Sequence, residues 1–201
     1  MKKISLVVIT LVLLGTSSAS AQAVWGARVG LSKPTVSTSE GDAFEGKFGL
    51  ELGPVLYYSL KDNWYINSGA MFSLKTLSES YSYGGYSATF DTSLMYIDIP
   101  LYAGYAFTIG NASLYAQAGP YAGFKLSEKS KWSDSEGNSA TSGEAEISGL
   151  NFGVGVMAGI NFNKFKVELG YQNGLSNILK EKEDNYTVKL NSVFIGVSYV
   201  F

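Results

Sequence analysis

The sequence predicts an all-β protein, an eight-stranded antiparallel up-and-down transmembrane β-barrel with short periplasmic turns and long extracellular loops. Apolar side chains alternate with small or polar ones through eight segments, as in strands whose two faces meet different surroundings. Short and long connections alternate strictly along the chain, as in outer-membrane barrels. Charged residues make up 16% of the chain, against about 25% in soluble proteins, while aromatic residues reach 14%.

The amino terminus has the features of a secretory signal peptide. Lys2 and Lys3 precede an uncharged apolar run over 4–14, and Ala19 and Ala21 form an A-x-A cleavage site. The run is shorter than the roughly 20 residues that a membrane helix needs. We therefore expect two parts: a signal peptide at residues 1–21 and an outer-membrane β-barrel domain at residues 22–201.

The first four predicted strands span residues 25–32, 47–58, 64–75 and 93–108. The first strand shows an apolar face against a small or polar one: Trp25, Ala27, Val29 and Leu31 against Gly26, Arg28, Gly30 and Ser32. Lys61, Asp62 and Asn63 are turn-forming residues between strands two and three. A polar segment at 33–45 and a Ser/Tyr/Gly-rich segment at 76–92 are predicted to be long loops.

The last four predicted strands span 113–126, 148–162, 165–176 and 188–201. Short turns at Gly110-Asn111 and Asn163-Lys164 alternate with a Ser/Glu/Gly-rich loop at 127–146 and a charged loop around 180–184. Pro54, Pro100 and Pro120 fall inside strands, where each removes a ladder donor. We therefore expect bulges there, or strand ends that project past their neighbours.

The alternation favours a membrane barrel over a soluble one. A soluble lipocalin-like barrel of eight strands would place its apolar residues inside and its polar residues outside. Here the apolar face also carries aromatic residues near the short-turn end, as an interfacial girdle requires. These residues are Trp25, Trp64, Phe162, Phe165, Tyr199 and Phe201.

No enzyme site is predicted. The chain has no histidine and no cysteine, which excludes Ser-His pairs and thiolate metal sites. Gly153, Gly155 and Ala158 match a dinucleotide fingerprint in letters, but the strand pattern runs through them and no helix follows. The run Asp134, Glu136, Asn138 lacks the ligand spacing of a calcium loop. We expect no cofactor and no metal.

Seven charged residues are predicted to point into the lumen: Arg28, Glu51, Lys75, Asp98, Lys125, Lys166 and Glu168. An eight-stranded barrel is wide enough only to be filled by its own side chains. An interior salt-bridge network and a conducting pathway both fit this pattern, and the network is the preferred interpretation because unpaired buried charges are costly. Glu168 is the expected partner of Arg28, held by two hydrogen bonds.

Four short motifs resemble the small porin-family (PorT-like) outer-membrane β-barrels of Bacteroidota: W-G-A-R-V-G-L-S at 25–32, Y-I-D-I-P-L-Y-A-G-Y at 96–105, A-G-P-Y-A-G-F at 118–124 and E-L-G-Y-Q-N-G-L-S-N-I at 168–178. The resemblance implies an eight-stranded barrel inserted by the outer-membrane assembly machinery, with terminal Phe201 as part of the assembly signal. The family name implies a pore, yet the resemblance carries over no catalytic residues.

Two functions remain open at this point. The first is a non-enzymatic structural or surface-interaction barrel whose long loops contact an extracellular partner. Tyr81, Tyr83 and Tyr86 could serve such contacts, or pack on the barrel rim. The second is a narrow porin-like channel for small solutes. The expected partners are outer-membrane lipid and the barrel assembly machinery. We expect a monomer that does not bind nucleic acid, because the chain has no basic stripe.

Overall fold

The structure, a computed structural model, describes residues 23–39, 43–84, 86–135, 139–142, 147–179 and 187–201, without the side chains of 43–45 and 142. The predicted signal peptide, residues 1–21, lies outside the described residues, which begin at Ala23. Within them the chain forms eleven strand segments: β1 (Ala23–Thr38), β2 (Ala43–Lys47), β3 (Gly49–Ser59), β4 (Trp64–Gly69), β5 (Met71–Tyr83), β6 (Tyr86–Ile109), β7 (Ala112–Asp134), β8 (Ser139–Ser142), β9 (Leu150–Phe162), β10 (Phe165–Gly174) and β11 (Val188–Val200).

The described segments close into a ring with eight strand positions, because β2 with β3, β4 with β5, and β8 with β9 each share one position. All pairings are antiparallel, and β1 pairs with β11 to close the ring. The predicted fold class is confirmed. No helix among the described residues is both long and apolar enough to span a bilayer.

The register of the ladders fixes the stagger of the barrel. A path of paired residues that starts at Lys33 on β1 returns to the same strand at Ala23, a shift of ten residues (33 minus 23). The path runs Lys33, Val193, Tyr171, Val156, Ala118, Ala103, Ile66, Tyr58 and Ala23. Such a stagger tilts the strands and leaves an interior just wide enough for side chains to fill.

The two faces of the barrel wall differ as the alternation predicts. Outward apolar residues are exposed, including Leu31 at 51% and Ile195 at 53%. The predicted girdle residues are exposed as well, from 37% at Tyr199 to 70% at Phe201. Inward neighbours such as Ser198 and Phe194 are buried. At the short-turn end, Asp62 and Asn63 adopt positive φ of 56° and 67°, which suits a tight hairpin turn.

The strands run further than the sequence predicts, so the loops predicted at 76–92 and 127–146 are wrong in large part. β5 continues to Tyr83, β6 begins at Tyr86, and β7 continues to Asp134. Paired hydroxyl and carboxylate side chains link β5 to β6 beyond the apolar zone, with Ser78 Oγ 2.7 Å from Asp91 and Ser80 Oγ 3.2 Å from Thr89 Oγ1. Serine, threonine and tyrosine extend a ladder without the hydropathy contrast that marks a strand.

The in-strand prolines do not produce bulges, so the first of the two alternatives expected for them is wrong. The strand position shared by β4 and β5 is interrupted at Ala70, next to Pro54 on β3 and Pro100 on β6. The register of β4 and that of β5 with each of these neighbours are nevertheless the same. The β6–β7 ladder stops at Pro100–Tyr121 and resumes in register at Ala103–Ala118. A register shift does occur in this ladder, between Met95 and Tyr96, away from the prolines. The prolines therefore remove ladder bonds without inserting a residue.

Candidate functional site

The periplasmic half of the lumen contains an ion pair between β1 and β10. Arg28 Nε lies 2.9 Å from Glu168 Oε1, and both side chains are 5% exposed or less. Ser198 Oγ and Tyr115 OH donate to the two carboxylate oxygens of Glu168 at 2.9 and 2.7 Å. The guanidinium also stacks over the Phe194 ring, 4.6 Å from its centroid. The carboxylate of Glu168 thus meets a cation and two hydroxyl donors.

The Arg28–Glu168 contact differs from the predicted bidentate arrangement. One ion-pair contact forms, and its Nε–H is not aligned well enough to count as a hydrogen bond. The guanidinium carbon of Arg28 also lies 4.6 Å from the centroid of the Phe194 ring, so a cation–π contact accompanies the single ion-pair contact. The contact is therefore an ion pair held beside an aromatic ring.

A second charged group lies nearer the extracellular side. Lys75 Nζ is 2.9 Å from Asp98 Oδ2, and Ser73 Oγ donates to the same oxygen at 2.6 Å. Lys75 and Asp98 are 1% and 2% exposed. Glu51, also predicted to face the lumen, is 4% exposed and forms no ion pair with another described residue. Arg28 therefore pairs with Glu168, and no described cation contacts Glu51.

Lys166 lies in a cage of three tyrosines near the short-turn end. Its ammonium is 4.0 Å from the ring centroid of Tyr57, 5.5 Å from that of Tyr65 and 4.5 Å from that of Tyr115. Aromatic faces attract cations, most strongly where water is scarce. A cavity of about 300 Å³ opens beside this tyrosine cage. Parity predicts that Lys166 faces inward, but the cage depends on side-chain packing.

The extracellular end of the lumen is apolar. Six buried residues pack together here, and we call them the mouth cluster: Val36, Leu94, Tyr96, Ile178, Val188 and Leu190. Ile178 comes from the connection between β10 and β11, and it is 2% exposed. Its backbone is held by Ser148 N donating to Ile178 O at 2.6 Å and by Ile178 N donating to Val188 O at 2.9 Å. Beside the cluster, Lys125 Nζ contacts Glu128 Oε2 at 2.5 Å.

Lumen aromatic rings pack against glycines on neighbouring strands. Tyr65 pairs with Gly104, Tyr115 with Gly159, and Phe194 with Gly170. A Cβ atom built on any of these glycines would collide with the paired ring. Gly155, which belongs to the nominal dinucleotide fingerprint, leaves room for Tyr102 in the same way. The sequence signal for this packing is an inward glycine paired with an inward aromatic residue.

The described residues contain no group of three or more Asp, Glu, His or Cys placed to hold a metal ion. Asp134 of the weak calcium-like run ends β7, whereas residues 136 and 138 lie outside the described part. Gly153 and Ala158 lie inside β9, so the nominal dinucleotide fingerprint is part of a strand. The described geometry therefore supplies no metal or nucleotide site.

The β5–β6–β7 sheet above the apolar zone presents aromatic residues at the extracellular end. Phe90 contacts Tyr81 and Trp132, with ring centroids 6.3 and 6.5 Å apart. Tyr83 is 91% exposed and Tyr86 is 41% exposed. The three predicted loop tyrosines therefore lie on strand ends, where their side chains are exposed.

Asp91 links this sheet to β2. Both carboxylate oxygens accept hydrogen bonds from Lys47 Nζ, at 2.8 and 2.7 Å. The pKa of Asp91 lies below its usual value of 3.8. Burial is the largest single influence and acts in the opposite direction, but the hydrogen bonds from Lys47 and Ser78 and the charges of Lys47 and Lys131 outweigh it together. The charged form of Asp91 is thus favoured by folding.

Phe201 lies at the short-turn end. Its backbone N–H donates to Trp25 O at 2.9 Å, and its ring is 5.6 Å from Tyr199. This position agrees with the girdle, while a role in assembly stays a prediction.

Comparison with known families decides the class of protein. The family model described as "Outer membrane protein beta-barrel domain" matches residues 17–180 of the chain. The chain belongs to this family. Members of the outer membrane protein beta-barrel domain family are placed in the outer membrane, so the short turns of this barrel face the periplasm. No curated protein matches the chain.

Solved structures of similar fold include Neisserial surface protein A from Neisseria. It is 16% identical, with a TM-score of 0.50, and the match covers 88% of this chain and 97% of that one. Ail, the attachment invasion locus protein of Yersinia pestis, is 18% identical with a TM-score of 0.39, over 90% of this chain and 99% of that one. The N-terminal barrel domain of Pseudomonas aeruginosa OprF is 13% identical with a TM-score of 0.32, over 87% and 97%. Likeness at such identities concerns the fold alone.

Proposed function

We propose that this outer-membrane barrel is a non-enzymatic surface-interaction protein whose lumen is filled by its own side chains. The observation that carries the proposal is that groups of contacting side chains follow one another along the whole lumen. The tyrosine cage around Lys166, the Arg28–Glu168 pair, the Lys75–Asp98 pair and the mouth cluster follow one another from the periplasmic end to the extracellular end. A lumen packed in this way leaves the extracellular strand ends as the surface available for function.

The extracellular sheet supports the interaction half of the proposal. Its exposed tyrosines and Phe90 offer large rigid contact surfaces, and such residues are enriched where proteins meet partners. The partner is an extracellular molecule that contacts the ends of β5, β6 and β7. We further propose that the protein is a monomer and that it belongs to the small PorT-like group, on the four motifs it shares with that group.

Replacing residues 78–90 with a short turn tests the interaction. The shortened protein should keep its heat-modifiable migration on a detergent gel, because the barrel wall below is intact. It should lose the surface phenotype of the parent strain, such as attachment or envelope integrity. The matched control exchanges the periplasmic turn at residues 60–63 for another tight turn. An unchanged phenotype in the shortened variant would refute the proposed surface role.

A narrow channel for small solutes is the second candidate. It is favoured by the cavity of about 300 Å³ at the periplasmic end, which is lined in part by Asn63, Tyr65 and Lys166. Solute uptake that depends on lumen residues and survives loss of the extracellular sheet would favour the channel.

A further inference from the structure

Lysines lie on the outer face of the barrel at the extracellular edge of the apolar zone. On β1, the outward residue that follows exposed Leu31 is Lys33. On β7, Lys129 follows exposed Leu126 across the register shift. Lys47 adjoins exposed Phe48, and Lys189 lies beyond exposed Val193 on β11. Four strand positions thus carry a lysine just past the apolar zone.

The register establishes that the lysines of β7 point outward. Leu94 pairs with Glu128, and both side chains are buried, Leu94 at 0% exposed. The next pair, Ser93 with Lys129, must therefore face the other side, because successive residues of a strand alternate. Asp91 and Lys131 form the following outward pair. Lys129 and Lys131 are both exposed.

Among the residues whose side chains the structure describes, acidic side chains are largely absent from this outward layer. Glu128 and Asp134 pair with buried Leu94 and Ala88, so they face inward, and Glu79 lines the mouth with Phe90. Of the described side chains, Asp91 is the acid that shares the outward face, and its carboxylate accepts hydrogen bonds from Lys47. The outward layer, formed by Lys33, Lys47, Lys129, Lys131 and Lys189, is therefore cationic, although the whole chain carries a net charge of −2.

We propose that this lysine belt binds the anionic, phosphate-bearing headgroups of lipids in the outer leaflet. A lysine at the edge of an apolar zone extends its alkyl stem along the hydrocarbon and places its ammonium among the headgroups. Each lysine near an anionic membrane surface contributes attraction that falls off within a Debye length. Headgroup phosphates lie at this depth all around the barrel, which matches the spread of the lysines over several strands. The inference is independent of the proposed surface-interaction role.

Binding of fluorescent lipid A to the folded protein in detergent tests the belt. The variant K129Q/K131Q/K189Q should bind roughly a hundredfold more weakly at low salt, at about fivefold for each lysine removed. It should also lose much of the salt dependence of binding. Replacement of the same three lysines by arginine should preserve binding, since the charge is kept. The matched control K61Q/K164Q removes two lysines from the periplasmic turns and should bind like the parent protein.

Heat-modifiable migration establishes first that each variant is folded, and the arginine variant carries the test if the glutamine variant does not fold. Equal binding by K129Q/K131Q/K189Q and the parent protein would overturn the proposal. An equal loss in K61Q/K164Q would overturn it as well, because binding would then follow net charge alone. Displacement of lipid A by inorganic phosphate at matched concentration would mean that the belt binds an adventitious ion only. A loss of affinity in the arginine variant would equally contradict a charge-based belt.

Discussion

Arg28 is the residue on which the lumen network depends most directly. Arg28→Ala leaves Glu168 buried, with two hydroxyl donors but without its contacting cation. A buried pair that loses one partner typically destabilises a protein by about 3–5 kcal/mol. We expect a loss of this order in the free energy of unfolding, measured by urea denaturation of the folded barrel in lipid vesicles.

A double-mutant cycle separates the ion pair from the stacking on Phe194. Adding Glu168→Gln to Arg28→Ala should recover part of the lost stability, because the orphaned charge is removed. Additive losses would contradict a direct Arg28–Glu168 interaction.

Gly170 tests the packing of rings on glycines. Gly170→Val places side-chain atoms where the Phe194 ring lies, and Phe194 is only 2% exposed. Overpacking of this kind costs about 1–3 kcal/mol. Gly149→Val is the matched control, because nothing lies within 4 Å of a Cβ at that position. Equal unfolding midpoints for the two variants would show that the ring does not need the glycine.

At the scale of single residues, the sequence predicts which face of the barrel wall a side chain occupies, but not the contacts that it makes there. Strand alternation places Arg28, Lys75, Asp98 and Glu168 inward without any knowledge of structure. The alternation does not show that Lys166 meets three tyrosines or that Arg28 stacks on Phe194, because these contacts depend on the rotamers of several strands at once. Ile178 was missed since its segment has no strand pattern.

At the scale of elements, the hairpin of β5 and β6 should respond to acid through Asp91. The folded-state pKa of Asp91 is lowered, so its contribution to stability is complete above the usual value of 3.8 and disappears as the pH falls through the lower folded value. The bridge to Lys47 is partly exposed, with side chains 54% and 30% exposed, so the effect is at most about 1 kcal/mol.

Hydrogen exchange of the hairpin amides measures this response. Protection, corrected for intrinsic rates, should fall between about pH 6 and about pH 3. Asp91→Asn should have low protection at both values and little pH dependence. A parent-like acid response in Asp91→Asn would assign the effect to another group.

The limits of sequence prediction are clearest for the extracellular extensions of β5, β6 and β7. Below the membrane edge, lipid on one side and lumen on the other create the hydropathy contrast that marks a strand. Above that edge both faces meet water, so Ser78, Ser80 and Thr89 give no alternation while their cross-strand hydroxyl pairs still extend the ladder. The prolines were misjudged for a different reason. The effect of a proline on a ladder depends on which neighbouring strand its missing N–H would face, and the sequence does not contain that information.

At the scale of the whole molecule, the number of strands and their order were predictable, and the stagger was not. Alternating short and long connections define an up-and-down ring of eight. The ten-residue shift around the barrel follows from the register of each pair, which no single strand pattern contains. That stagger determines the width of the interior and so whether the described side chains fill it.

Conductance in planar lipid bilayers tests the central claim, a lumen filled by its own side chains. The account predicts that the parent protein shows at most rare and small openings, and that Arg28→Ala raises the leakage because it removes the Arg28–Glu168 ion pair from the lumen. Steady, large conductance in the parent protein, indifferent to Arg28→Ala, would contradict the filled lumen and make the channel the better description.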